Sequence, residues 1–174
     1  MIDESDVKTY RQDDVLWIEA SRDIAAPSQA AWDAIEPLFH RLAEIGTSSG
    51  AEIEVVKQRP GTKLVAEGNQ VAALVTQLAI LKTVMLITFE EVEPGQRVSC
   101  GVTVFGSRYG DLEFLIEPTG ADTCRITYRQ SITEQDTIPG MLNTAFDHGP
   151  QHVPEVAQVH SLWEKLSIGA GGTI

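Results

Sequence analysis

Residues 98–130 have the sequence VSCGVTVFGSRYGDLEFLIEPTGADTCRITYRQ, in which three segments alternate between apolar and polar side chains. Turn-forming residues separate these segments at 106–108 and at 119–121. Successive side chains of a strand point to opposite faces, and opposed residues of a hairpin share a face. The stretch therefore predicts two consecutive antiparallel hairpins with one apolar face and one polar face.

The two turns also predict a register. They place Val102 opposite Leu112, Leu112 opposite Tyr128, and Asp111 opposite Arg129 on the polar face, where opposite charges favour the pairing. The predicted polar face holds Ser99, Thr103, Asp111, Glu113, Thr123, Arg125, Thr127 and Arg129. The predicted apolar face holds Val98, Cys100, Val102, Val104, Leu112, Phe114, Ile116, Cys124, Ile126 and Tyr128.

The two cysteines of the chain, Cys100 and Cys124, lie two strands apart in this register. At about 4.8 Å per strand their separation is about 9–10 Å, beyond the ~7 Å that a disulfide spans. They are predicted to be free thiols in the core.

The apolar face needs a cover, and the C-terminal segment 155–168 has the pattern of an amphipathic helix. Its apolar residues recur at intervals of three or four, and Gly169 is suited to end the helix. The spaced apolar residues are Val156, Val159, Trp163 and Leu166.

The remaining sequence predicts one domain. Pro27 is suited to open a helix and Pro37 to break it, and 71–81 fits either a buried strand or a short helix. The chain is predicted to divide into a flexible leader (1–14), a single domain (15–168) and a flexible tail (169–174). Within the domain, the sequence predicts a first strand (15–24), two short helices (27–36 and 38–45) and further strands from 52 to 129.

Composition excludes several classes of function. The 174 residues include 43% hydrophobic side chains, as in a globular protein, and carry a formal net charge of −12, which repels nucleic acid and anionic membranes. The first 14 residues have no apolar core typical of a signal peptide, and the longest apolar run, 71–81, is too short to cross a membrane. We expect a cytoplasmic protein, a monomer or homodimer, without membrane insertion.

Three motifs carry a family resemblance: SRDIAAP (21–27) running into AWDAI (31–35), ITFEEVEPGQRV (87–98), and LIEPTG (115–120) leading to TCRIT (123–127). Their order resembles the START-related superfamily, nearest to its polyketide cyclase/dehydrase and lipid-transport branch. The resemblance implies an α+β helix-grip fold, in which a curved antiparallel sheet wraps a long C-terminal helix and two short helices lie between the first two strands. It also implies an internal cavity for a sterol, lipid, quinone, polyketide or hormone, and only some members are enzymes.

Candidate ligand-binding residues follow from the predicted apolar face. Tyr128 and Gln130 are polar groups there, and each could bond a ligand, or instead a backbone carbonyl and solvent. Arg108 and Tyr109 could guard a cavity mouth or form a solvated turn. The other candidates are Val102, Leu112, Phe114, His160 and Trp163.

Metal binding is not predicted, because the spaced pairs lack a third ligand. His148 and His152 are four residues apart, as are His160 and Glu164. No cofactor motif is present in the sequence.

Two functions remain open. A carrier would shield a hydrophobic molecule in the cavity, and a cyclase or dehydratase would transfer protons there through a Tyr, His or Arg. An inward-facing cluster of ionisable groups would indicate the enzyme, and the sequence reveals few such groups. An interaction module that uses the polar face is disfavoured, because that face lacks an apolar patch.

Overall fold

A computed structural model describes residues 2–13, 15–41, 51–77, 81–133 and 149–171. A short 3-10 helix, Glu4–Asp6, precedes the first strand. The remaining elements are β1 (Lys8–Gln12), β2 (Val15–Ile24), α1 (Ser28–Asp33), α2 (Ile35–Arg41), β3 (Ala51–Lys57), β4 (Gln70–Gln77), β5 (Leu81–Glu93), β6 (Arg97–Val104), β7 (Ser107–Pro118), β8 (Cys124–Ile132) and α3 (Gly149–Gly171).

The eight strands form one antiparallel sheet in the order β1-β2-β8-β7-β6-β5-β4-β3. Helix α3 lies against the inner face at β2 and β8, and α1 and α2 pack beside it. This arrangement confirms the predicted α+β helix-grip fold. Residues 71–81 fitted either a strand or a short helix in the sequence. Up to Gln77 they belong to strand β4, and Leu81 begins strand β5.

Side-chain alternation across the sheet is as predicted, but the register is not. The inner face holds the predicted apolar residues, all buried except Leu112, which is partly buried. Leu112 pairs with Cys100 and with Gln130, rather than with Val102 and Tyr128. Both hairpins are shifted by two residues, and a shift of two preserves the face of every side chain.

Turn length explains the shift, together with a one-residue bulge in β7 at the first hairpin. Only Phe105 and Gly106 separate Val104 from its partner Ser107, and both turn residues have positive φ, 51° and 81°. Such tight two-residue turns match the twist of antiparallel strands. At the other hairpin Pro118 pairs with Cys124, so five residues form the turn where three were expected.

The polar outer face carries an ion-pair network that replaces the predicted Asp111–Arg129 pair. Glu113 pairs with Arg129 at 2.6 Å and with Arg97 at 3.1 Å, and is only 6% exposed. The Arg129 guanidinium lies 4.6 Å from the centre of the Trp17 ring, a cation–π contact. Two arginines therefore flank the one buried carboxylate of this face in the described chain.

The chain termini differ from expectation. The segment predicted as a flexible leader contains β1, which pairs along its length with β2, so the two short helices lie between the second and third strands. The backbone N–H of Ile2 donates to Ser161 on α3 at 3.2 Å. Helix α3 continues past Gly169, and it begins at Gly149, six residues before the predicted start. Pro150 lies in its first turn, where proline is tolerated, whereas Pro154 lies inside the helix.

Both cysteines, Cys100 and Cys124, are free and buried, as predicted. Burial raises the pKa of each thiol, with a smaller contribution from Glu90 at Cys100 and from Asp23 at Cys124. The neutral thiols behave as small apolar core groups.

A bulge in β7 lies next to Gly110, where β7 approaches β8 closely. Val102 pairs with Gly110 and Thr103 with Arg108, so Tyr109 is the extra residue of β7. A Cβ atom on Gly110 would lie 1.9 Å from the carbonyl oxygen of Ser131, inside any permitted contact.

We therefore predict that Gly110→Ala lowers the free energy of unfolding by about 3 kcal/mol, because the clash is with backbone that cannot move aside. Urea denaturation measures this. The matched control is Gly169→Ala, where an added Cβ meets nothing within 4 Å and the change should stay within about 1 kcal/mol. Equal stability of the two variants would contradict the close approach of β7 to β8.

Candidate functional site

Aromatic packing fills the middle of the inner face. The Phe114 ring lies 4.9 Å from that of Tyr128, 5.4 Å from that of Trp163 and 5.6 Å from that of Phe39, which in turn contacts Phe89 at 4.9 Å. Trp163 also donates its indole N–H to the carbonyl oxygen of Ala31 at 2.9 Å. Two predicted ligand-binding residues, Phe114 and Trp163, are thus joined in the packed core.

Polar side chains gather beyond this core, toward the beginning of α3. We call Tyr109, Tyr128, Gln130, His152 and Glu155 the polar cluster. Tyr109 Oη lies 3.4 Å from His152 Nε2, and His152 Nδ1 lies 2.8 Å from Glu155 Oε2. Gln130 Nε2 lies 3.5 Å from His152 Nδ1, and Tyr128 Oη lies 3.5 Å from Gln130 Oε1. The cluster thus links two strands to the helix.

Three local features bring these side chains together. Alternation along β8 places Tyr128 and Gln130 on the inner face, in line with Ile126. The bulge in β7 directs Tyr109 toward His152, and re-aiming a side chain is a common role of bulges. His152 and Glu155 are three residues apart on α3, so they lie on the same side of the helix.

Both tyrosines of the cluster stay protonated near neutral pH. Burial, and secondarily the charge of Glu155, raises the pKa of Tyr109 to about 12. Burial also raises the pKa of Tyr128 well above its usual value, with smaller contributions from Glu155 and Cys100. Each phenol is therefore a neutral hydrogen-bond donor.

Hydrogen bonding at Tyr128 and Gln130 is weak for buried groups. Tyr128 is 3% exposed and Gln130 is 4% exposed. Their hydrogen-bond contacts within the described chain are both 3.5 Å, whereas strong bonds of these types measure about 2.7–3.0 Å. Buried polar groups are usually well bonded, and contacts this long leave both side chains able to bond a further partner.

Hydrogen-bond donor rules assign the tautomer of His152. A carboxylate only accepts hydrogen bonds, so Nδ1 of His152 carries a hydrogen that it donates to Glu155. In the neutral ring Nε2 is then the acceptor, and it faces the hydroxyl of Tyr109. The hydrogen bond to Glu155 thereby sets which ring nitrogen of His152 carries the hydrogen, a common role of a carboxylate beside a histidine.

His160 lies elsewhere on α3, fully buried against β8. Its Nε2 is 3.2 Å from the carbonyl oxygen of Ile126, so Nε2 is the donor, and Nδ1 has no hydrogen-bond partner among the described residues. Burial lowers the pKa of His160, although the Ile126 carbonyl and Glu164 oppose the shift. Its imidazole is bonded to the sheet backbone instead of to the polar cluster.

The other predicted site residues divide between the two faces. Val102 and Leu112 lie on the inner face, and Leu112 pairs directly with Gln130. Arg108 lies on the outer face, where it pairs with Glu90 and Asp111, and an added Cβ on Gly101 would touch its guanidinium. Arg108 therefore does not join the cluster, whereas its neighbour Tyr109 does.

The sequence did not indicate the role of His152 and Glu155. Their three-residue spacing was the available signal, but the helix was predicted to begin at Glu155, which left His152 outside it. His148, its expected companion, lies outside the described residues. Among the described residues no three His, Cys, Asp or Glu side chains are grouped to hold a metal ion. In the same part of the chain, no helix is long and apolar enough to cross a membrane.

Comparison with known proteins gives the fold. No protein-family profile matches the chain, and no curated protein sequence matches it significantly. Solved structures do: norcoclaurine synthase from Thalictrum flavum is 14% identical with a TM-score of 0.59, covering 92% of this chain and 95% of that one. Zhui aromatase/cyclase from a Streptomyces species is 11% identical with a TM-score of 0.54, covering 88% and 87%. Ara h 8.0201 is 11% identical with a TM-score of 0.57, covering 89% and 99%.

These neighbours share the helix-grip fold with this chain, so the fold predicted from the sequence is confirmed. Identities this low say nothing of a particular ligand or reaction.

His160 predicts a dependence of stability on pH. Because its folded-state pKa lies below the ordinary value of 6.5, the unfolded chain binds its proton more tightly than the folded chain does. Its contribution is fully present above about pH 6.5 and is lost as the pH falls through that value toward the folded pKa. We predict that His160→Gln flattens this fall in the free energy of unfolding, measured by urea denaturation at several pH values.

The control is His40→Gln on α2, where the histidine is exposed. This variant should retain the pH dependence of the original chain. An unchanged pH profile in His160→Gln would contradict a neutral, buried His160.

Proposed function

We propose that the protein binds a small hydrophobic molecule between the inner face of the sheet and the first turns of α3, with a polar group of the ligand bonded to Tyr128 and Gln130. The observation that carries the proposal is the pair of 3.5 Å contacts made by these two buried side chains. Leaving a buried polar group unbonded costs about 1–3 kcal/mol, and a ligand oxygen would remove that cost.

The surroundings of the polar cluster favour an apolar ligand. Val102 and Leu112 lie beside it on the sheet, and Val153 and Val156 on the helix. Burial of apolar ligand surface contributes about 25 cal/mol per Å², so an apolar body would supply most of the affinity. A few placed polar groups in an apolar setting are typical of small-molecule sites.

The structural neighbours are consistent with this proposal. One structure of norcoclaurine synthase holds dopamine and hydroxybenzaldehyde, small aromatic molecules with polar groups, and Zhui is an aromatase/cyclase. The shared fold thus accommodates such ligands in other proteins, and for this chain a ligand of that general kind is our proposal.

Native mass spectrometry of the freshly purified protein tests the proposal. We expect a surplus mass that disappears on denaturation. In Tyr128→Phe its occupancy should fall about tenfold, because one hydrogen bond to the ligand is lost.

The control is Tyr10→Phe, since Tyr10 donates to Glu19 at 3.0 Å on the other face of the sheet. Its occupancy should match that of the original chain. Equal retention of ligand in Tyr128→Phe and Tyr10→Phe would contradict the proposed contact. Absence of any bound molecule would contradict tight binding of a ligand that is retained through purification.

A second function, a cyclase or dehydratase, is favoured by one specific observation. His152 is a base with 17% of its side chain exposed, and it lies next to the buried neutral phenol of Tyr109, which can act as an acid; Glu155, which bonds His152 at 2.8 Å, is about half exposed. An inward ionisable cluster of this kind is the feature that would distinguish an enzyme from a carrier.

A short linear triketone tests the second function. Its intramolecular aldol condensation forms one carbon–carbon bond, releases water and yields a resorcinol that absorbs in the ultraviolet. We predict that the original chain accelerates this reaction and that His152→Gln loses at least ten- to a hundredfold of the acceleration. An equal rate in both proteins, or in buffer alone, would contradict a catalytic role and leave binding as the function.

A further inference from the structure

We infer that the site at Tyr128 and Gln130 selects a neutral carbonyl compound, a ketone, ester or amide with an apolar body, over alcohols and carboxylic acids. The inference rests on the proposed function, because it names the ligand class of the same site. It follows from the number of hydrogens that these two side chains must donate, together with the charge beside them.

The two side chains carry more donors than the protein has acceptors for. Tyr128 has one hydrogen to donate and the Gln130 amide has two. Both residues are buried, at 3% and 4% exposure, and their side-chain contacts in the described chain are one between themselves and one from the amide to His152. The contact to His152 accepts no hydrogen, because Nδ1 already carries the hydrogen that it donates to Glu155 at 2.8 Å. The only acceptors left for the three hydrogens in this part of the described chain are the two oxygens of the pair itself.

Both orientations of the Gln130 amide leave two hydrogens without an acceptor. In the first, Tyr128 donates to Gln130 Oε1 over 3.5 Å, and neither amide hydrogen has an acceptor. In the second, the amide is rotated by half a turn and donates one hydrogen to Tyr128 Oη, so the phenol hydrogen and the other amide hydrogen have none. Buried donors are rarely left unbonded in proteins. The site therefore needs acceptor atoms from a ligand.

A carbonyl oxygen meets this need. It has two lone pairs and carries no hydrogen, so one oxygen can accept from both the phenol and the amide. An alcohol oxygen also accepts, but it adds a hydrogen to a site that already has two in excess. A hydrocarbon of the same shape supplies no acceptor and leaves both hydrogens unbonded. The expected order of affinity is therefore carbonyl, then alcohol, then hydrocarbon.

The charge of Glu155 disfavours an anionic ligand at the same place. Burial raises the pKa of Tyr128, the charge of Glu155 raises it further, and no basic group of the described chain is among the causes. Burial and Glu155 also raise the pKa of Tyr109, to about 12. A carboxylate bonded to Tyr128 would meet the same loss of hydration and the same repulsion that keep the phenols neutral. The dipole of α3 favours an anion near its first turn, but Glu155 carries a full negative charge in the second turn and opposes it.

Four probes of nearly the same shape test the expected order. They are methyl naphthyl ketone, its secondary alcohol, its isopropenyl hydrocarbon and naphthoate, all substituted at the same ring position. The full-length protein is titrated with each by calorimetry near neutral pH. We expect the ketone to bind about tenfold more tightly than the alcohol and about a hundredfold more tightly than the hydrocarbon, because each unbonded buried donor weakens binding roughly tenfold. Naphthoate should bind at least about a hundredfold more weakly than the ketone.

The infrared carbonyl stretch of the bound ketone gives a second measurement. We expect it to lie below the frequency of the same ketone in a hydrocarbon solvent, because the oxygen accepts hydrogen bonds from the site. A frequency equal to that in the hydrocarbon solvent would overturn the inference.

Variants of the donors assign the preference to this pair. Gln130→Met removes both amide hydrogens at nearly constant shape, and the ratio of ketone to hydrocarbon affinity should fall about tenfold. The matched control is Gln70→Met, since Gln70 donates to Thr88 at 3.1 Å elsewhere on the sheet and its loss should leave the ratio unchanged. Circular dichroism verifies the fold of each variant. If Gln130→Met does not fold, Tyr128→Phe removes the other donor and should lower the same ratio.

A variant of the charge tests the exclusion of anions separately. In Glu155→Gln the ratio of naphthoate to ketone affinity should rise about tenfold, because the repulsion is removed. The control, Glu117→Gln, removes the same charge from an exposed position at the end of β7 and should leave this ratio unchanged.

The outcomes separate this inference from the proposed function. An alcohol, a hydrocarbon or a carboxylate that binds as tightly as the ketone would overturn the inference and leave the proposed binding function standing. Failure of the ketone to bind would also overturn it, and the native mass measurement would then judge the proposed function separately. The same ketone preference in Gln130→Met and Gln70→Met would reject the pair as its source.

Discussion

The structure depends on the alternation of side chains across one antiparallel sheet. Residues that point inward along β6, β7 and β8 are apolar and must be removed from water, and α3 is the element that covers them. Outward residues are charged and pair with one another across strands, as Glu113 does with Arg97 and Arg129. Tyr128 and Gln130 are polar exceptions on the inner face. Both are buried with long hydrogen bonds, and this is the basis of the proposed ligand site.

The polar cluster is built from positions where the regular structure is interrupted. Tyr109 reaches it through a bulge, and at the adjacent Gly110 β8 approaches too closely for a side chain. His152 reaches it because α3 begins before its prolines. The centre of the inner face, by contrast, is closed by contacts among Phe114, Trp163 and Phe39. The regularly packed aromatic core thus accounts for stability. The polar cluster, at the β7 bulge and the start of α3, is the part of the inner face that can bond a ligand.

The sequence predicts features set by neighbouring residues better than features set by residues far apart in the chain. The inward direction of the residues predicted for the apolar face, from Val98 to Tyr128, follows from local alternation and was predicted correctly, as were the free thiols and the covering helix. Register was wrong by two residues, because alternation constrains parity but not turn length. The strand at Lys8–Gln12 was missed, since its charged residues resemble a solvated leader until β2 offers a partner.

The site itself was predicted in part. Tyr128 and Gln130 follow from alternation, while Arg108 was assigned to the site and its neighbour Tyr109 belongs there, a distinction that only the bulge creates. The approach of His152 to Tyr109 joins residues 43 positions apart and has no local signal. Residues whose roles arise from such tertiary contacts cannot be identified from spacing in one sequence.

The most direct test of the account is a crystal structure of the protein as purified, at a resolution that reveals bound water. We predict density for a small molecule or for ordered water within about 3 Å of both Tyr128 Oη and the Gln130 amide. Direct, short hydrogen bonds from these groups to protein atoms alone, with no density between them and α3, would contradict a binding site at the polar cluster.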